Sequence, residues 1–237
     1  MFLLLEGVRA SPTAQQFILI SGDCVVGHMF HPYADPITES APHRAYPGCY
    51  ALTKVIEEVM LAQYQVQYGL NGCTLRAPWI MEKDDFRYAL RFGPDQFGGP
   101  PWSDLLPLAE VDRFSRGNVV PVMLDVTGTP LRRNFVHVSD LVEAILAALD
   151  NPAATGGLFN IAMTEPIDYG AVADYLQASR GYSTAEIATP YHSTWLSNAK
   201  ARLLLNWDPM VNFEGMIERA WTYARPQNEP RKVWYPG

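Results

Sequence analysis

Tyr50 and Lys54 stand four residues apart in a stretch whose apolar spacing predicts a helix, so both side chains project from one helix face. A free phenol titrates at about 10, too high for a base at neutral pH, but a neighbouring ammonium favours the phenolate and brings it toward working range. Such a pair can move a proton on a substrate hydroxyl. Composition alone yields on the order of 0.2 Tyr-x-x-x-Lys matches in a chain like this one. The spacing therefore also fits an ordinary surface i,i+4 pair, and its surroundings must decide.

Those surroundings read as alternating strands and helices, an α/β class. Phe17-Ile18-Leu19-Ile20 is a continuous apolar run that breaks at Ser21-Gly22-Asp23. It predicts a buried parallel strand delivering polar residues at its carboxyl end, where such sheets bind ligands. A Pro-rich loop follows (Pro32, Pro36, Pro42, Pro47), and then residues 50–68 carry Val55, Ile56, Val59, Met60 and Val66 at helical spacing until Gly69. Asn71-Gly72 turns the chain into a second strand over residues 73–77, which completes one βαβ-type unit. From Met81 to about Gly128 the text is irregular, with Gly98-Gly99-Pro100-Pro101, and reads as an inserted loop-rich region suited to substrate specificity. Regularity returns with a strand at residues 134–138 and a helix that Asp140 opens as an acidic cap with Glu143 three residues on. That helix ends at Asn151-Pro152. A strand at 158–162, a helix over Tyr169–Arg180 stopped by Gly181, a last amphipathic helix at 213–225 and an extended tail at 226–237 complete the prediction.

Composition narrows the function classes. The chain has 237 residues, 48% hydrophobic and 18% charged, enough for one large domain or two small ones with a substantial core. Its 18 Lys+Arg against 25 Asp+Glu give a net charge of -7 without a long basic run, so nucleic acid is not an expected partner. No apolar run approaches the roughly 18 residues of a membrane span. Met1-Phe2-Leu3-Leu4-Leu5 has no basic flank and stops at Glu6, so neither signal peptide nor anchor is read. Cys24, Cys49 and Cys73 form no Cys-x-x-Cys pair, which disfavours a disulfide framework or zinc knuckle and fits a reducing cytoplasm. His28, His31, His43, His137 and His192 lack Asp or Glu partners at ligand spacing, so no metal site is expected and they read as loop or packing residues. Adjacent residues on a helix do not face each other, so Glu57-Glu58 and Asp84-Asp85 read as solvated faces rather than catalytic dyads. No Gly-x-Ser-x-Gly elbow is present, which removes the commonest hydrolase reading.

Several segments, in order over most of the chain, resemble the extended short-chain dehydrogenase/reductases of the NAD-dependent epimerase/dehydratase family. They are residues 17–27 (Phe-Ile-Leu-Ile-Ser-Gly-Asp-Cys-Val-Val-Gly), Pro36-Ile37-Thr38-Glu39, Tyr50-Ala51-Leu52-Thr53-Lys54 and Leu75-Arg76-Ala77-Pro78. Residues 133–141 (Arg-Asn-Phe-Val-His-Val-Ser-Asp-Leu), Phe159-Asn160-Ile161 and residues 204–209 continue the series. The resemblance implies an incomplete Rossmann-type doubly wound parallel sheet with a smaller C-terminal α/β substrate-binding part. Residues 1–80 would be the second half of the Rossmann-type domain and 81–237 mainly the substrate-binding part, with 134–162 returning to the sheet. It implies a catalytic Tyr50, a Lys54 that holds the nicotinamide ribose, and Pro78-Trp79-Ile80 near the nicotinamide of NAD or NADP. Arg133 would hold a substrate phosphate, and the substrate would be a sugar, sugar nucleotide or related polar metabolite. The helix at 50–68 and the one expected at residues 2–8 would pack against their mates in a homodimer.

Two departures stand beside these agreements. The family's catalytic Ser or Thr position falls on Gly22, leaving Ser21, one residue early, or Asp23 as substitutes. Cys24 replaces the second acid of the dehydratase pattern, and Val26 a common Tyr. The family's opening strand, Gly-rich turn and helix, which bind the pyrophosphate, have no counterpart: neither Gly-x-Gly-x-x-Gly nor Gly-x-x-Gly-x-x-Gly occurs. By comparison with a complete doubly wound domain, on the order of 100 residues would precede Met1 in a longer enzyme, of which this chain would be a fragment. The alternative is a non-catalytic binding or scaffold member of the same fold.

Overall fold

The computed structural model describes residues 1–93, 96–98 and 100–231. In chain order the elements are α1 (Phe2–Ala10), β1 (Phe17–Ser21), α2 (Cys49–Tyr68), β2 (Gly72–Arg76), β3 (Trp79–Met81), α3 (Asp85–Ala89), α4 (Leu108–Ser115) and β4 (Val119–Leu124). They continue with β5 (Arg132–Arg133), β6 (Phe135–His137), α5 (Val138–Ala148), β7 (Leu158–Asn160), β8 (Ile167–Asp168), α6 (Tyr169–Arg180), β9 (Ser183–Ala188), α7 (Ala199–Leu205) and α8 (Phe213–Thr222).

The fold is α/β with parallel strands. β1, β2 and β7 form a three-stranded parallel sheet in the order β1-β2-β7. The run Phe17–Ser21, buried at Leu19 and Ser21, and the fully buried Gly72–Arg76 place their carboxyl ends side by side, with Ser21 in register with Arg76. α2 packs over this sheet through Leu61 and Tyr64 and over the Cys24–Val26 turn through Ala51, and Gly69 closes it at φ 64, a left-handed conformation that glycine adopts without cost. Of residues 134–162, Leu158–Asn160 joins this sheet beside β2, whereas Phe135–His137 pairs in parallel with Trp79–Met81.

The region read as loop-rich contains real sheet. Val119–Leu124 pairs in parallel with Ser183–Ala188 over six residues, and neither strand is expected from the sequence pattern. A second hydrophobic core surrounds this pair, built from Val120, Val122, Ile187, Leu176, Ile217 and their neighbours. Pro121 is tolerated because β4 has a partner on one side only, so its missing N–H can fall on the free edge. Gly99 and the tail beyond residue 231, read as loop and extended tail, lie outside the described residues.

Several family-like residues turn out to be clasps between segments. Asn160 Nδ2 donates to the carbonyls of Ile37 and Ser197, both at 3.1 Å, while its N–H donates to Glu39 Oε1 at 2.8 Å. Asn134 Nδ2 donates to Thr194 Oγ1 at 3.1 Å, and its Oδ1 accepts from the Leu196 N–H at 2.8 Å. Asp140 is not a cap: α5 begins at Val138, and His137 Nδ1 accepts from the Ser139 N–H. The Asp140 carboxylate is buried and accepts from the N–H groups of Met210 and Val211 at 3.2 and 3.0 Å.

Both acidic pairs read as solvated faces are partly internal. Glu58 is 4% exposed and binds Arg76, 1% exposed, through contacts of 3.2 and 2.7 Å. His43 Nε2 adds a 2.8 Å contact to the same carboxyl. Burial alone would raise the Glu58 pKa, but the Arg76 guanidinium outweighs it and the net shift is downward. Asp84 is likewise buried, against Arg225 and Arg231. Sequence distance hides both partnerships, since an amphipathic pattern says nothing about a cation on another element.

Candidate active site

The carboxyl ends of β1 and β2 and the start of β3 open onto a cleft of about 780 Å³. Tyr50, Lys54, Ser21, Asp23, Pro78, Trp79, Ile80 and Arg133 all line it. α2 contributes Tyr50 and Lys54 from its first two turns, and β1 ends at Ser21 directly before the 3-10 turn Asp23–Val26 that starts with Asp23.

Lys54 Nζ donates to the Ile20 carbonyl at 3.1 Å and to Glu57 Oε2 at 3.0 Å. Its charge is thus partly answered by Glu57, and the expected lowering of the Tyr50 pKa does not occur. Burial pushes the Tyr50 phenol up to about 12, with Cys24, Tyr46, Asp23 and Glu57 adding to the rise. In the chain by itself Tyr50 keeps its proton at neutral pH and is a donor.

Ser21 lines the cleft, but its hydroxyl oxygen is enclosed and makes no well-formed hydrogen bond. It is one of the groups that hold the Glu58 carboxylate down, which puts it on the side of the Glu58–Arg76 pair. Gly22 is confined: an added Cβ would lie 3.3 Å from Cys24 Sγ and 3.4 Å from the Ala77 carbonyl. Asp23 is engaged by a residue that the sequence pattern assigned to packing, for its Oδ2 lies 2.6 Å from Nδ1 of His28. The only signal for His28 in the sequence was its position beside Gly27, just past the strand's polar end.

The far wall is aromatic. Trp79 stacks on Phe97 and on Phe135 with centroids 5.6 and 5.7 Å apart, and the Arg133 guanidinium carbon sits 3.7 Å from the Trp79 ring centre. Phe30, also lining the cleft, stacks on Tyr46 at 5.0 Å and meets Tyr191 edge-on at 5.5 Å. Phe30, Tyr46, Tyr191 and Phe97 were not anticipated as cleft residues. Arg133 has no carboxylate partner among the described residues, its Nε is unpaired, and burial pulls its pKa below the ordinary value. Such a cation suits an anionic ligand group.

The sequence profile of the NAD dependent epimerase/dehydratase family matches residues 1–81 and 86–162. The chain belongs to this family. Among solved structures, a short-chain dehydrogenase/reductase superfamily protein from Agrobacterium tumefaciens with bound NAD is 23% identical. The match has a TM-score of 0.74 and covers 92% of this chain and 71% of that one. The UDP-glucuronic acid 4-epimerase of Bacillus cereus in complex with NAD is 20% identical, with TM-score 0.68 and coverages of 93% and 64%. UDP-glucose 4-epimerase of Thermotoga maritima with UDP-glucose is 21% identical, with TM-score 0.66 and coverages of 94% and 67%. This epimerase/dehydratase chain therefore spans about two thirds of the length of these structures, which establish its fold. No curated protein matches the chain. Among the described residues no cluster of His, Cys, Asp or Glu is placed to hold a metal ion, and no helix is long and apolar enough to cross a membrane.

Proposed function

We propose that the cleft binds the nicotinamide end of NAD or NADP beside a sugar, sugar nucleotide or related polar metabolite, and serves oxidoreduction or epimerisation at a hydroxyl-bearing carbon. The observation that carries this is the convergence of Tyr50, Lys54, Asp23, residues 78–80 and Arg133 on one cleft, from segments far apart in sequence. The nicotinamide end fits the residues present: Lys54 reaches the cleft floor at the Ile20 carbonyl, where it can bond a ribose hydroxyl, and Pro78-Trp79-Ile80 offers an apolar wall. The pyrophosphate end finds no Gly-rich turn among the 237 residues. Bound oxidised nicotinamide supplies the hydride acceptor and one positive charge. Tyr50 donates its proton or hydrogen bond to the substrate oxygen, Arg133 neutralises a substrate phosphate, and the aromatic walls exclude water and stack on the substrate ring.

The second reading, a non-catalytic binding or scaffold member, is favoured by Gly22 at the hydroxyl position. A fluorescence titration of the 237-residue chain with NADH, and separately with NADPH, separates the two. Saturable enhancement of nicotinamide emission supports the cofactor-binding reading. A folded sample that binds neither refutes it for this chain and favours the second.

A homodimer belongs to the same proposal. Leu52, Ile56, Val59 and Val66 form an exposed apolar stripe along α2, and Phe2, Leu3 and Leu4 are exposed on the neighbouring α1. A second copy of the two helices would cover both, as in a four-helix bundle.

A further inference from the structure

We propose that Asp23 and His28 form a proton-holding dyad whose imidazole Nε2 takes the place of the family's Ser or Thr hydroxyl at the substrate oxygen. The proposal rests on the reading of the cleft given above.

Three observations carry it. His28 Nδ1 lies 2.6 Å from Asp23 Oδ2, both side chains are about 90% buried, and both line the cleft that holds Tyr50. The loop that brings them together is tightly determined: the His28 N–H donates to the Asp23 carbonyl at 3.0 Å, and His28 sits at φ 49, a left-handed backbone that histidine visits uncommonly. Finally, His28 lines the cleft, its Nδ1 is the ring nitrogen taken by Asp23, and among the described residues nothing bonds Nε2.

A carboxylate at Nδ1 fixes the tautomer with the proton on Nδ1 and leaves a lone pair on Nε2. The neighbouring titratable groups offer no rival acceptor. Burial pushes Cys24 and Tyr50 up to about 12 and raises Tyr46 and Tyr191, so all four keep their protons at neutral pH. Arg133 lines the same cleft and is close enough to feel the charge of Asp23 without pairing with it. As a substrate alcohol becomes a carbonyl, its O–H proton passes to Nε2. The resulting imidazolium is balanced by Asp23; oxidised nicotinamide, if held by Lys54 and the wall of residues 78–80, would supply the acceptor for the C–H electron pair that leaves as hydride. In the reverse direction Nε2–H returns the proton. Tyr50 donates a hydrogen bond to the same oxygen in both states.

The test combines a ring spectrum with turnover. A two-bond 1H–15N correlation spectrum of the histidine-labelled 237-residue chain, with H28Q to assign the peaks, should show His28 protonated at Nδ1 and bare at Nε2. In D23N the same ring should move toward the Nε2–H form that free imidazole favours. A wild-type His28 protonated at Nε2 and bare at Nδ1 overturns the dyad. Turnover is read with NAD and a panel of UDP-glucose, UDP-glucuronic acid and dTDP-glucose. H28Q should lose about 100-fold or more in kcat with KM changed little, and D23N, which keeps every ring atom, about 10-fold or more. If H28Q does not fold, D23N decides. Active wild type with equally active variants overturns the proposal alone. A wild type inactive on the whole panel overturns the functional reading and the catalytic role of His28 with it, while the ring spectrum still reports the dyad.

Discussion

Replacing Glu58 with Leu removes one partner of a buried pair that joins α2 to β2. Arg76 is 1% exposed and would be left without its carboxylate, with Nη1 already unpaired in the intact protein. Stranding one buried charge costs about 3–5 kcal/mol, a large part of the roughly 5–15 kcal/mol that keeps a domain folded. At about 2–4 °C per kcal/mol for a chain of this size, E58L should melt about 6–20 °C below wild type. The double variant E58L/R76M removes both charges and should recover most of the loss, because a buried pair roughly breaks even against apolar groups of similar volume. Urea titration followed by far-ultraviolet circular dichroism measures both. A single variant costing less than about 1 kcal/mol, the value of a solvated pair, refutes the reasoning. The pH dependence has a definite sign. The folded pKa of Glu58 lies below its reference of 4.5, so the unfolded chain binds more protons there. The contribution is complete above 4.5 and is lost as pH falls through the lower folded pKa, and E58L should flatten that limb of the stability curve.

Y50F should lower turnover by about 100-fold or more while leaving the circular dichroism spectrum and NADH binding unchanged; stopped assays on a substrate from the same panel check it. Gly27 lies at φ 89, and an added Cβ would meet His31 Cδ2 at 2.2 Å and the Arg44 carbonyl at 2.7 Å. G27A should therefore cost about 1–3 kcal/mol, read as a lower melting temperature; an unchanged melt would contradict the loop geometry. Sedimentation at micromolar concentration should find the wild type dimeric and I56E monomeric, and a monomeric wild type would sink the dimer.

The sheet under the cleft was legible because its signals are local. The unbroken run Phe17–Ile20 and the helical spacing closed by Gly69 needed nothing from elsewhere, and β1 and α2 lie where they were predicted. β4 was hidden by Pro121, which in a sequence argues against a strand. β9 has only Ala185 and Ile187 buried, too short an alternation to stand out. α7 ends at Asn206 in the left-handed region rather than at a glycine, and Leu203 and Leu204 on it are exposed, so neither stop nor stripe was clear. At the site, residue types carried by motif were readable, while pairings were not. Glu58 meets Arg76 across 18 positions, and a turn at Gly27 joins Asp23 to His28, so their chemistry exists only once the backbone has closed.

The order in which the strands are used has a consequence for unfolding. The chain runs through β1 and β2, crosses into the second core at β4, and after α5 returns to lay β7 beside β2. It then leaves again to complete the β4–β9 pair. Neither core is closed by a contiguous stretch: removing everything after residue 81 strips β2 of its β7 neighbour, and removing everything up to residue 81 strips β6 of β3. The two halves are therefore interlocked by covalent order as well as by contact, and neither can melt while the other stays whole. Heating should yield a single calorimetric transition, with high-contact-order, slow refolding, and two resolved transitions would show that the interlock does not couple them.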